Sequence, residues 1–175
     1  MDFKETSLPG VWLVDPVPFK DERGSFARIF CTKEFGAHGL ENSFVQHSQS
    51  HSVKRGTLRG MHFQAAPHEE VKLVRCVAGA MWDVVVDNRP DSPTYLQWAG
   101  FLLSPVNQRQ ILIPKGYAHG FQTLADDTVT HYLISEYYEP AAARGLRFDD
   151  PDIGIKWPLE PTAMSPKDMS WPLLS

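Results

Sequence analysis

Three features of the sequence predict an all-β fold. The 14 Pro and 12 Gly residues, 26 of 175, are spread along the chain instead of clustering. Between them lie short runs rich in Val, Ile, Leu, Tyr and Trp, and none keeps a helical period for more than three turns. The runs begin roughly every 10 to 15 residues, which is the spacing expected of an antiparallel sandwich or barrel.

The clearest predicted strands lie in the second half of the chain. Each has strand length and ends at Gly, Pro, Asn or Asp, which break a ladder or supply a turn. They are "KLVRCVAG", "MWDVVVDNRP", "LQWAGFLLSP", "RQILIPKG" and "VTHYLISEYYEP". The best helix candidate is the short "TKEFGAHG", and the Pro-rich tail "WPLEPTAMSPKDMSWPLLS" predicts irregular surface structure. With no repeat or linker, we expect one domain over residues 1–175.

Composition narrows the classes of function. A formal net charge of -4 and a pI near 5.9 argue against nucleic-acid binding driven by bulk positive charge. Cys31 and Cys76 fit no metal or redox spacing and indicate a reducing compartment only weakly. The start "MDFKETSLPG" is too polar for a signal peptide, and no apolar run approaches membrane-spanning length. We therefore expect a cytoplasmic protein.

Two histidines in strand-like segments raise the question of a metal site. "IPKGYAHGFQ" has the form Pro-x-Gly-x-x-His, which resembles the second motif of cupins, a double-stranded β-barrel family. Their first motif carries His-x-His and then Glu, but "HFQAAPHEE" places Gln64 at the second histidine. A Gln amide is a poor replacement for imidazole in a transition-metal site. Metal binding through His62, Glu69 and His119 is the alternative, and we expect no metal.

An acid–base site accounts better for the polar residues among the apolar runs. Arg59, His62, Lys72 and His119 lie in or beside predicted strands, where a buried charge must be paired or functional. Each alone could be an ordinary core or edge residue, but a barrel collects inward-facing side chains from several strands into one cavity. A histidine oriented by a carboxylate can remove a proton next to a carbonyl, and a cation can stabilise the enolate. A tyrosine in "THYLISEYY" could return the proton from the opposite face.

The sequence resembles the RmlC-type sugar-nucleotide epimerase family nearly end to end. The matching blocks are "FKDERGSF", "GTLRGMHFQ", "KLVRC", "DVVVDNRPDSPTY", "IPKGYAHGF", "YYEP", "DDPDIGIKWP" and "SPKD". The resemblance implies a cupin jelly roll with short helical and irregular C-terminal segments, and a homodimer that exchanges N-terminal strands. It also implies an isomerase without cofactor or metal that inverts C3, C5 or both in a nucleotide-diphospho-4-keto-6-deoxyhexose.

Catalytic roles follow from the resemblance residue by residue. His62 matches the base, and Asp168 in "SPKD" matches the carboxylate paired with it. On sequence grounds alone, Asp83 is an alternative orienting partner for His62. Tyr132 matches the acid that protonates from the far face, and Lys72 matches the residue that polarises the C4 oxygen.

Binding roles follow in the same way. His119 is expected beside the sugar, and Arg23 and Arg59 match residues that hold the diphosphate. Phe19 and Tyr138 match aromatics near the nucleotide base, although ordinary core packing explains these two equally well.

The segments that match nucleotide-side residues depart from the family pattern. Arg28 stands where a glutamate near the base is usual, and an arginine cannot accept a hydrogen bond from a thymine imide. In "QHSQSHS", Gln46 matches, but the family's Asp-Asn is missing, with Ser48 or Gln49 as candidates to replace it. Arg144 stands where a glutamate is common. The alternatives are therefore a CDP-, GDP- or UDP-linked substrate, a monofunctional 3-epimerase, and a non-catalytic or metal-binding cupin.

Overall fold

Two antiparallel sheets and one hairpin form the computed structural model, which describes residues 1–175. The six-stranded sheet has the order β1 (Asp2–Glu5), β2 (Trp12–Asp15), β10 (Gln110–Ile113), β7 (Lys72–Ala78), β12 (Thr128–Ile134), β5 (Gln46–Ser52). The five-stranded sheet has the order β13 (Ala143–Gly145), β6 (Leu58–Gln64), β11 (Tyr117–Thr123), β8 (Met81–Asp87), β9 (Trp98–Leu103). The hairpin pairs β3 (Phe19–Asp21) with β4 (Gly24–Phe26), and the helices are α1 (Thr32–Ala37) and α2 (Pro166–Met169). The predicted all-β cupin jelly roll is confirmed.

All five clearest predicted strands form, as β7, β8, β9, β10 and β12, and the predicted short helix forms as α1. The strand pattern is weaker in β5, whose sequence "QHSQSHS" contains no aliphatic residue. Its side chains nevertheless alternate between exposed and at least partly buried, which is the period of a strand with one covered face. A polar strand of this kind is expected where the covered face borders a polar cavity.

Apolar side chains from both sheets meet in the main core. Val74 and Ile111 of the six-stranded sheet pack in one cluster with Met81, Val85 and Phe121 of the five-stranded sheet. All five are at least 98 % buried, so the sheets are held face to face by close apolar packing. The rest of the space between the sheets is the cavity described below.

The outer face of each sheet is covered by chain outside the strands. On the six-stranded sheet, Phe35 of α1 packs with Val14, Leu73 and Leu112. On the five-stranded sheet, the segment after β13 supplies a second covering cluster, including Leu146 and Ile153. None of the helices is long and apolar enough to cross a lipid bilayer.

A buried carboxylate organises the turn between β8 and β9. Asp87 is fully buried and accepts hydrogen bonds from the Arg89 guanidinium (2.8 and 2.7 Å) and from the hydroxyls of Ser92 and Thr94 (both 2.6 Å). Burial alone would raise the pKa of Asp87, but these donors outweigh it and hold the pKa far below its usual value. The ionised form therefore stabilises the folded state.

Replacing Asp87 by Asn should lower the free energy of unfolding by about 2 kcal/mol at pH 7, because charge-assisted hydrogen bonds are lost. A carboxyl whose pKa is lowered by folding stabilises above its unfolded pKa of about 3.9, and this contribution is lost as the pH falls further. Urea unfolding at pH 7 and pH 3 checks this, with the exposed Asp91→Asn as control. A pH-independent difference between wild type and Asp87→Asn contradicts this account.

Candidate active site

A cavity of about 670 Å³ lies between the two sheets. Its walls come from β5, β7 and β12 on one side, from β6 and β11 on the other, and from the C-terminal tail around α2. Eight of the predicted site residues line it: Gln46, Arg59, His62, Lys72, His119, Tyr132, Tyr138 and Asp168. The fold therefore gathers into one place side chains that are spread over more than 120 positions of sequence.

Close approach of β6 and β11 sets the position of the two histidines. His62 and His119 are direct partners across these strands. Gly60 has a φ of +146°, and a Cβ there would lie 2.6 Å from the Cα of Gly120. A side chain at Gly60 is therefore excluded by both backbone conformation and space, so glycine permits the contact that brings the two imidazoles into the same cavity.

His62 is held by a carboxylate from the tail, as predicted. Its Nε2 lies 2.7 Å from Oδ1 of Asp168, which is almost completely buried, whereas 44 % of the His62 side chain is exposed. Burial would raise the pKa of Asp168, but the His62 hydrogen bond and the Gly60 N–H lower it. The ionised carboxylate favours the tautomer with the proton on Nε2, which leaves Nδ1 as the acceptor atom of a general base.

The alternative assignment of Asp83 as the partner of His62 is wrong. Asp83 Oδ2 instead lies 2.8 Å from Nε2 of His119. The register explains this, because β11 separates β8 from β6, so Asp83 on β8 reaches the nearer strand. Asp83 is fully buried, and burial raises its pKa although His119 opposes the shift. The cavity wall thus carries a second His–Asp pair, in which charge on the carboxylate is disfavoured.

Lys72 points into the same cavity with a partner that the sequence did not indicate. Its Nζ lies 2.9 Å from Oε1 of Glu70, with both side chains largely buried, and 3.5 Å from the carbonyl oxygen of His62. The other oxygen, Oε2, is buried and has no hydrogen-bond partner. Glu70 was missed because no pattern distinguishes it from its neighbour Glu69. The pair holds the ammonium group beside the strand that carries His62.

Tyr132 faces the cavity from the sheet opposite His62. Its hydroxyl lies 2.9 Å from Oγ of Ser50 on the neighbouring strand β5. Burial raises the pKa of the phenol to about 12, so Tyr132 is protonated at neutral pH. The two walls therefore carry complementary groups, an imidazole acceptor on β6 and a phenol donor on β12.

Cationic side chains without carboxylate partners stand around the same cavity. Arg59 donates from Nε to the Ser52 hydroxyl and from a terminal nitrogen to the His51 carbonyl, both at 3.1 Å. Lys167 and Arg144 also line the cavity, and neither forms a salt bridge. Tyr138, 61 % exposed, stands among them. Unpaired cations at a partly open cavity suit an anionic ligand such as a diphosphate.

Three predicted binding residues lie outside this cavity. Phe19 and Arg23 belong to the β3–β4 hairpin, whose strands pair only with each other. Phe19 is 76 % exposed and faces its cross-strand partner Phe26, while Arg23 pairs with the adjacent Asp21. Arg28 is exposed and forms an ion pair with Glu34 at 3.0 Å. Within one chain these residues cannot reach a ligand in the cavity.

The alternative metal set of His62, Glu69 and His119 is not assembled. No group of three or more His, Cys, Asp or Glu side chains has the geometry to hold a metal ion. Both histidines use Nε2 to bind an aspartate, and Glu69 does not line the cavity. The arrangement suits proton transfer.

Comparison with known proteins agrees with this chemistry. The family model described as dTDP-4-dehydrorhamnose 3,5-epimerase matches residues 5–175. The Methanothermobacter thermautotrophicus protein of that name is 45 % identical over 172 residues, covering 97 % of this chain and 92 % of the relative. Crystal structures of such enzymes superimpose closely. That from Bacillus anthracis, with TDP and PPi bound, has a TM-score of 0.96 and 42 % identity, covering 99 % of each chain. That from Legionella pneumophila, in complex with dTDP-4-keto-L-rhamnose, has a TM-score of 0.93 and 38 % identity, covering 98 % of this chain and 92 % of the other.

Proposed function

The chain belongs to the dTDP-4-dehydrorhamnose 3,5-epimerase family, and on this premise we propose that it epimerises a nucleotide-diphospho-4-keto-6-deoxyhexose at C3, C5 or both. The observation that carries the proposal is one cavity with His62 held by Asp168 on one wall and Tyr132 on the other. The names of the relatives support dTDP as the nucleotide.

Proton transfer on opposite faces of the sugar is the proposed mechanism. The C4 ketone acidifies the protons on C3 and C5, and Nδ1 of His62 takes one of them. The Asp168 carboxylate stabilises the imidazolium that forms. Negative charge moves to the C4 oxygen, where Lys72 and the His119 N–H stabilise the enolate. Tyr132 then gives its proton to the same carbon from the other side, and exchange with water restores both groups.

The substrate is held largely by its charge. Arg59 has no carboxylate partner, so its guanidinium is free to bind the diphosphate, and Lys167 adds a second cation. Gln46 supplies an amide to the sugar, and the exposed ring of Tyr138 is available to stack on the base. The reaction as proposed uses no cofactor or metal, because each proton transfer is assigned to a side chain.

A homodimer completes the proposed site. The hairpin exposes Phe19 and Phe26 on a surface that is otherwise unsupported, and such a pair gains stability when a second copy covers it. We propose that Phe19 and Arg23 of one copy reach the nucleotide in the cavity of the other, with Arg28 close by. Each copy contributes one domain, residues 1–175. A cytoplasmic location is part of the proposal and is supported by two free thiols, Cys31 and Cys76.

The proton-transfer roles predict separable effects. His62→Ala should lower turnover at least about 1,000-fold, since the general base is lost. Tyr132→Phe should keep much of the deuterium exchange into the substrate while lowering inversion about 100-fold. Proton NMR of dTDP-4-keto-6-deoxyglucose in deuterated water measures exchange and inversion together.

The matched control is His131→Ala, which removes an imidazole from the same strand as Tyr132 but from its outward face. It should match wild type. Near-normal turnover in His62→Ala would show that another group is the base, and equal loss of exchange and inversion in Tyr132→Phe would argue against its acid role.

The shared site predicts complementation between subunits. Arg23→Ala and His62→Ala homodimers should each be weakly active. A 1:1 mixture after subunit exchange should recover about a quarter of wild-type turnover, because half the dimers are mixed and each has one intact site. Native mass spectrometry verifies the mixed dimers. If mixed dimers form without recovery, the hairpin does not act across the interface.

A further inference from the structure

We propose that Ser50 is a positioning residue for Tyr132, holding the phenol in place and stabilising the phenolate that remains after it donates its proton. The inference rests on the proposed role of Tyr132 as the opposite-face acid. Ser50 lies in "QHSQSHS", the segment that departs from the family pattern, and the resemblance gives it no role.

Strand register brings the two hydroxyls together. On the paired strands β5 and β12, Ser50 lies opposite Thr130, and Tyr132 lies opposite Ser48. Ser50 is therefore the diagonal neighbour of Tyr132 on the same face, which is within reach of a long aromatic side chain. The measured separation of Oγ and the phenol oxygen is 2.9 Å, an ordinary hydrogen bond.

The alternation of β5 fixes which residues face the cavity. Ser48 and Ser50 line it, whereas His47 and Gln49 are exposed on the other face. A one-residue slip of this strand would turn a large polar side chain towards Tyr132 instead of a hydroxyl. A small hydroxyl fits the space beside a phenol, and it can donate or accept as the reaction requires.

The chemistry gives the contact a purpose beyond satisfying a buried hydroxyl. When Tyr132 protonates carbon, its O–H bond breaks, a C–H bond forms, and negative charge stays on the phenol oxygen. Burial disfavours that charge and raises the pKa of Tyr132 to about 12, whereas the Ser50 hydrogen bond and the nearby charge of Arg59 act in the opposite direction. A Ser50 O–H that donates to the phenolate therefore stabilises the product of the transfer more than the starting state.

The test compares Ser50→Ala with Ser50→Thr, which keeps the hydroxyl. Ser50→Ala should lower kcat for inversion of dTDP-4-keto-6-deoxyglucose about tenfold, with KM within about twofold of wild type. Deuterium exchange at the same carbon should fall less than inversion, because His62 still removes the proton. Ser50→Thr should recover most of the lost turnover. His47→Ala, on the outward face of the same strand, is the control and should match wild type.

Wild-type kcat and inversion-to-exchange ratio in Ser50→Ala would overturn the proposal. So would a loss that Ser50→Thr fails to restore, since packing rather than the hydroxyl would then be responsible. Tyr132→Phe, measured in parallel, separates this inference from its premise. If Tyr132→Phe inverts substrate normally, the acid role fails and Ser50 with it, whereas impaired Tyr132→Phe beside normal Ser50→Ala contradicts the Ser50 role alone.

Discussion

The hydrogen bond between His62 and Asp168 is the constraint on which the architecture of the site depends. It joins β6 to the tail helix α2 across 106 residues of sequence. The tail is led to this position by further bonds to the five-stranded sheet, including Leu58 N–H to the Ala163 carbonyl and two bonds between Gln122 and Leu159. A segment that is irregular by pattern is thereby an ordered wall of the cavity. Folding of the tail and orientation of the base are one event.

The two His–Asp pairs share a geometry but differ in electrostatics. Asp168 accepts hydrogen bonds from His62 and the Gly60 N–H, and its pKa is lowered, so its charge is available to stabilise an imidazolium. Asp83 is fully buried and its pKa is raised, which disfavours charge separation with His119. Environments that move the pKa values of similar groups in opposite directions commonly separate catalytic roles. The contrast suits a base at His62 and a neutral hydrogen-bond donor at His119.

The sequence predicted the barrel, its principal strands and most cavity residues, because strand length, turn residues and family blocks are local signals. It could not choose between Asp83 and Asp168 for His62, since that depends on β11 lying between β6 and β8. Glu70 was missed because its role depends only on where the Lys72 ammonium comes to rest. The hairpin residues could be assigned a ligand but not a subunit, because an exposed hairpin reveals its partner surface only in an assembly.

The most direct test of the central claim is proton NMR of the wild-type protein with 4-keto-6-deoxyglucose linked to dTDP, CDP, UDP or GDP in deuterated water. The account predicts loss of the C3 proton, the C5 proton or both, with an altered ring configuration and the fastest reaction for the dTDP form. If none of the four nucleotides supports exchange at high protein concentration, proton abstraction next to the C4 ketone is not what this cavity does.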